Sequence, residues 1–179
     1  MSGMNVDQHI ITECYVDTLI VKTLVPPTKR YNHQKSCNNV LKSMREEFAD
    51  KAALGIIDDD KYIPKDVKEE FILLKKHNEQ LSIYKRKDKP HYIVKISKAA
   101  EDFILKNAEK CKIELSEFDL PSDLEGLKKR TKQANTLVDY DLKRLFSALK
   151  QNENSDFNKL AQWIECFKAT PYNLTDESL

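Results

Sequence analysis

Ala52-Ala53-Leu54-Gly55-Ile56-Ile57-Asp58-Asp59-Asp60-Lys61 is an unbroken apolar run that stops in three adjacent acids. An apolar stretch of this length without alternation marks a strand buried on both faces, as in a parallel sheet. A buried strand has no structural need to end in three like charges, which repel one another. In extended chain, residues two apart point the same way, so Asp58 and Asp60 can present two carboxylates to one point. Open α/β sheets bind ligands outside the carboxyl ends of their strands. Hard divalent cations take oxygen ligands, often a few carboxylates completed by water and substrate phosphate. The plainer alternative is a helix cap or solvated turn, partly neutralised by Lys61. An EF-hand loop starting at Asp58 is excluded, because it needs glycine where Ile63 stands.

Upstream of this run, the β-branched stretch from His9 to Cys14 predicts a short strand, and Asp17 to Val25 a helix stopped by Pro26-Pro27. Asp17 is expected to cap that helix. Ser36 or Asn38 caps the next, which carries Val40, Leu41, Met44 and Phe48 on one face. Downstream, Pro64 opens a helix with Val67, Phe71 and Leu74. Gln80 to Tyr84 and His91 to Ile96 read as strands, and helices follow from Ser97 onward. Strands alternating with helices, then helices alone, predict an α/β fold with a mostly parallel sheet flanked by helices and a helical C-terminal part. Residues 8–135 form the sheet domain, 136–170 helices packed on it, and 171–179 a frayed tail. Glu13 closes the first strand. If that strand lies beside the acid-bearing one, Glu13 joins Asp58 and Asp60 in a three-carboxylate metal site.

Composition narrows the alternatives. In 179 residues, 30 Lys+Arg offset 29 Asp+Glu, so there is no chain-wide basic field. The 3 glycines, Gly3, Gly55 and Gly126, are too scattered for a dinucleotide fingerprint or a P-loop. No apolar run approaches ~18 residues, the length a membrane span needs. The first residues lack the basic-then-apolar order of a signal peptide. The 4 cysteines are widely spaced, which fits reduced thiols in a cytoplasmic protein.

Several of these segments carry a family resemblance. Glu13-Cys14-Tyr15-Val16-Asp17 resembles the Glu-Gly-x-x-Asp segment that opens a Toprim (topoisomerase–primase) domain, with Cys14 standing where the family has glycine. Gly55-Ile56-Ile57-Asp58-Asp59-Asp60 is similar to that family's strand ending in Asp-x-Asp. Lys98-Ala99-Ala100-Glu101-Asp102-Phe103-Ile104-Leu105 looks like the Glu-aromatic-Leu helix start of small stand-alone members related to the overcoming-lysogenization-defect nucleases. Leu120-Pro121-Ser122-Asp123 with Lys132 is like their later Leu-Pro-x-Asp…Lys stretch.

The likeness spans roughly residues 10 to 135 and implies phosphodiester chemistry dependent on Mg²⁺ (or Mn²⁺), as in a nuclease or nuclease subunit of defence or repair. It implies Asp58 and Asp60 as metal ligands, Glu13 as a further ligand or base, and Glu101 as a completing catalytic group. The plainer alternative for Glu101 is an exposed acid in a helix's first turn, favoured there by the helix dipole. Nucleic acid is then the expected partner. An ATPase partner protein is implied because the chain has no nucleotide loop of its own, and a homodimer is left open.

Substrate contacts fall to three basic clusters: Lys29-Arg30 with Lys35, Lys85-Arg86-Lys87 with Lys89, and Lys128-Lys129-Arg130 with Lys132. Arg30, Lys61 and Lys132 are the substrate-binding candidates. Tyr84 and Tyr92 flank the middle cluster and can stack on bases, although charged hairpins also serve simply to prevent aggregation. His33-x-x-x-Cys37 is a weak zinc signal. Cys14 at a helix start is the only plausible thiol for nucleophilic chemistry, but no partner histidine is identifiable for it. The rival from another class is a non-catalytic interaction module whose carboxylates are a relic or a structural site.

Overall fold

The computed structural model describes residues 5–59 and 64–179. Its elements in chain order are β1 (Ile10–Thr12), α1 (Tyr15–Leu24), β2 (Asn32–His33), α2 (Cys37–Glu46) and β3 (Ala53–Asp58). Then follow α3 (Lys65–Glu70), β4 (Phe71–Lys76), β5 (Leu81–Arg86), β6 (His91–Ile96) and α4 (Ala100–Lys110). The remainder is helical: α5 (Leu124–Thr131), α6 (Tyr140–Gln151) and α7 (Asp156–Ala169). Among the described residues the strands form one sheet of order β2-β1-β3-β6-β5-β4. β2, β1, β3 and β6 run parallel, while β4 and β5 close one side as an antiparallel hairpin. The fold is α/β, with a mostly parallel sheet and a helical C-terminal part.

Side-chain alternation along β3 separates two cores. Leu54 and Ile56 join the larger one, beneath α1, α4, α6 and α7. Ala53 and Ile57 join the smaller one, under α2 and α3, with Val40, Met44 and Phe71. Both faces of β3 are therefore dry, which is why its sequence is continuously apolar. Residues from Val6 to Leu174 share the larger core, and Phe157, Leu160, Trp163 and Phe167 of α7 are fully buried in it. No helix among the described residues is long and apolar enough to cross a membrane.

Two expectations are corrected, and one strand has no sequence signal. Phe71 and Leu74 do not continue the helix that Pro64 opens. The helix ends at Glu70, and Phe71-Ile72-Leu73-Leu74 enters β4, where pairing with β5 overrides a spacing equally compatible with helix. The two-residue β2 is polar and carries no hydrophobic signal. Its place is set by register alone, Ile11 opposite Asn32 and Thr12 opposite His33. Residues 171–179 are docked rather than frayed: Leu174 is fully buried and its N–H donates to the Tyr92 hydroxyl at 3.3 Å. Lys75 Nζ donates to the carbonyls of Asp176 (2.9 Å) and Leu179 (2.6 Å), so an apolar plug and one cation hold the segment.

Candidate metal centre and its cleft

The strand order creates the site. α1 leads from β1 to β2 on one side, and α2 leads back across to β3 on the other, so the chain reverses direction between β1 and β3. Such a switch point leaves a crevice at the carboxyl ends of the two strands. Register sets Thr12 opposite Ile56, and the Glu13 N–H continues the ladder to the Ile56 carbonyl at 3.2 Å. The Asp58 N–H then donates to Glu13 Oε2 at 3.0 Å. Asp58 shares the side of Leu54 and Ile56, facing α1. Asp59 turns to the opposite side and pairs with Lys95 at 3.2 Å, so the middle acid of the triplet has a structural partner.

The first turn of α1 supplies the rest. Cys14, not Asp17, is the N-cap: its Sγ accepts from the Asp17 N–H at 3.5 Å. Its φ of −139° lies in the extended region, so this strand-to-helix turn accommodates the Cβ that the family's glycine lacks. Asp17 occupies the third helical position and is fully buried. Its Oδ2 accepts the Cys14 thiol proton at 3.0 Å, while its Oδ1 is buried with no hydrogen bond. Burial, reinforced by the charges of Glu13 and Glu101, pushes the Asp17 carboxyl up to about 7. Burial, then the charges of Asp17 and Asp58, likewise pushes the Cys14 thiol well above its ordinary value. The thiol is thus the reverse of activated, in keeping with the lack of a partner histidine for it in the sequence.

One ligand atom each from Cys14, Asp17 and Asp58 falls within 4.8 Å of the others. Glu13 adjoins this cluster through its bond to the Asp58 amide. A divalent cation fits these residues on two counts. The donors are mainly carboxylate oxygens, and Asp17 keeps an oxygen in the interior that no protein donor satisfies. Asp60 and Lys61, both expected here, lie outside the described residues.

Above the acids opens a cleft of about 420 Å³ that Glu13, Cys14, Asp58 and Glu101 line, with Lys35, Lys128 and Lys132 among its other walls. Glu101 sits in the first turn of α4 but is buried, and the Thr131 hydroxyl of α5 donates to its Oε1. The exposed-acid explanation for it therefore fails. Lys128 and Lys132, four apart at the end of α5, bring their charges over the same cleft. Lys132 was legible in the sequence, but Lys35, Lys128 and Thr131 were not singled out for this site. What joins Lys35 to the α5 residues is proximity in the fold, which no local spacing records.

Other candidates are not brought to the acids. Arg30 lines a separate cleft. Tyr92 is fully buried and cannot stack on a base. In the middle basic cluster, Arg86 pairs with Glu70 (3.3 Å) and Asp88 (2.9 Å), Lys89 with Asp50 (3.4 Å), and Lys87 binds the Glu69 carbonyl. Those cations serve the hairpin. His33 stacks on Tyr15 with centroids 4.5 Å apart and bonds Thr18 through Nδ1 (2.9 Å), which gives it a role without zinc. Compared with protein-family models, with curated proteins and with solved structures, the chain matches none.

Proposed function

We propose that the protein carries out divalent-cation-dependent phosphodiester chemistry on nucleic acid, as a nuclease or the nuclease subunit of an assembly. The observation that carries this reading is the convergence of Glu13, Asp17 and Asp58 at the switch point between β1 and β3, beneath a cleft with lysines on its rim. The Toprim resemblance places the same acids in the same order along the chain. Asp17, Asp58 and Glu13 hold the cation, joined by Asp60 as the resemblance implies. A bound Mg²⁺ or Mn²⁺ supplies an acidified water and stabilises charge on a leaving oxygen. Glu101, oriented by the Thr131 hydroxyl, accepts a proton from the attacking group. Lys35, Lys128 and Lys132 hold the phosphate against the acidic floor and offset its charge.

Calorimetry with Mg²⁺ and Mn²⁺ on wild type and an Asp58→Ala variant tests the centre. Cleavage of single- and double-stranded DNA and RNA, scored on the same samples, tests the chemistry. Metal binding lost in the variant, together with metal-dependent cleavage by wild type, supports the reading. Metal binding without cleavage points to the missing ATPase partner. No binding at millimolar metal overturns the reading in favour of a non-catalytic interaction module.

A further inference from the structure

Behind the wall of the acid cleft lies a second one of about 460 Å³, whose lining includes Lys22, Lys29, Arg30, Asn32, His33 and Leu137. Tyr15 lines the first cleft and His33 the second, and the two rings stack at 4.5 Å and 15°, so the partition is one aromatic pair thick. Thr18 braces it, donating its hydroxyl proton to the Cys14 carbonyl at 2.7 Å while bonding His33 Nδ1.

The charge of the second cleft is uncompensated. Lys22, Lys29 and Arg30 are exposed, and none of them pairs with a carboxylate among the described residues. Asp7, which accepts the Lys29 backbone N–H at 2.9 Å, spends its charge on Lys168 at 2.8 Å. Arg86 and Arg130, by contrast, are each held by two carboxylates. Three like charges around one concavity repel one another until an anion arrives. Pro27 and Leu137 add an apolar wall, and Asn32 offers its amide donors, its Oδ1 already accepting from Gln34 Nε2 at 2.8 Å. Phosphate, flat ring and edge hydrogen bonds together describe a nucleotide, and the volume is in the range of small-ligand sites.

We propose that this second cleft binds a nucleotide of the substrate strand, adjacent to the phosphate held over the acids. The placement beside the acids rests on the nuclease reading, whereas the binding of a nucleotide does not. The test is anisotropy of a fluorescein-labelled single strand of twelve thymidines in EDTA, so that no cleavage occurs. Wild type is compared with the triple variant Lys22→Ala/Lys29→Ala/Arg30→Ala. All three side chains are exposed, and an unchanged thermal melt certifies the fold. The expected result is at least a tenfold loss of affinity. The slope of log K against log salt should also fall by about 2, at about 0.7 per phosphate contact on a single strand.

The variant Lys22→Arg/Lys29→Arg, which keeps the charge, should retain the wild-type slope. Unchanged affinity and slope in the triple variant overturn the proposal. So does equal competition by poly-glutamate of matched charge, since that reads charge without a base. Calorimetry with thymidine monophosphate separates the sources: binding lost in the triple variant while oligonucleotide binding persists overturns the strand placement. If wild type never cleaves with metal yet the triple variant loses the oligonucleotide, only the nuclease reading fails.

Discussion

Replacing Asp17 with Asn in metal-free protein should stabilise the fold, and by an amount that depends on pH. Asp17 is fully buried, and its carboxyl rises from 3.8 to about 7 on folding. Between those values the native chain keeps a proton that the unfolded chain has released. Stability therefore falls as pH climbs through this window and is level above it. At about 1.36 kcal/mol per pKa unit, ionising the buried group costs about 4 kcal/mol in total. About 3 kcal/mol of that falls between pH 5 and pH 8. An amide of the same shape still accepts from the Cys14 thiol but never ionises. Asp17→Asn should thus gain about 3 kcal/mol more over wild type at pH 8 than at pH 5. For a domain of this size that corresponds to roughly 6–12 °C in Tm. Denaturant titrations in EDTA at pH 5, 6.5 and 8 measure it. Burial lowers the His33 and His91 pKa values, which makes stability rise through the ordinary histidine range. That contribution is common to both proteins and cancels in the difference. A variant-minus-wild-type stability that does not change with pH would refute the reasoning.

Gly55→Ala should destabilise by about 1–3 kcal/mol in denaturant titration, because the new Cβ would meet Met44 Sδ and Val40 Cγ1 at 3.0 Å and push α2 away from β3. Burial opposes ionisation of Asp156, but hydrogen bonds from Lys110, Asn78 and His77 outweigh it and hold the carboxyl below its usual range. Asp156→Asn should cost about 1.5–3 kcal/mol at pH 7. That difference should shrink as acid titrates the wild-type group below the ordinary value of 3.8. Lys128→Ala with Lys132→Ala should raise KM for nucleic acid roughly five- to tenfold while changing kcat less, since both hold phosphate rather than reacting atoms. Steady-state cleavage at two salt concentrations would show it, and an equal loss in kcat would contradict that role.

The acid-bearing strand was legible because burial on both faces leaves no alternation, and a charge at the end of such a run stands out. Glu13 was legible conditionally, once adjacency of β1 and β3 was supposed, and register supplies that adjacency. Asp17 was misassigned for a local reason. Asp near a helix start ordinarily caps it, yet here Cys14 takes the cap and turns Asp17 inward. The counter-signal was present: Asp17 precedes Thr18-Leu19-Ile20-Val21, in a helix whose buried residues run on almost without a break. Over residues 16–21 the helix is enclosed all round, which leaves an acid within that stretch no exposed face. The strand β4 was missed because Val67, Phe71 and Leu74 keep helical spacing, and only the partner strand β5 decides between the periods. Lys128 and Lys132 share one helical face, but Lys35 comes from a segment far away in sequence, and no local pattern links it to them.

The hydrogen bond from the Asp58 amide to Glu13 gives this centre a built-in spectroscopic reporter. Any event that draws electron density from the Glu13 carboxylate lengthens or weakens that bond and moves the Asp58 amide proton upfield in an NMR spectrum. The same resonance senses a cation, a change in Glu13 charge, or a separation of β1 from β3. Hydrogen exchange tells these apart: loss of charge leaves the amide protected, while strand separation exposes it to solvent. One isotopically labelled amide thus tracks occupancy and strand pairing together, without substrate or turnover.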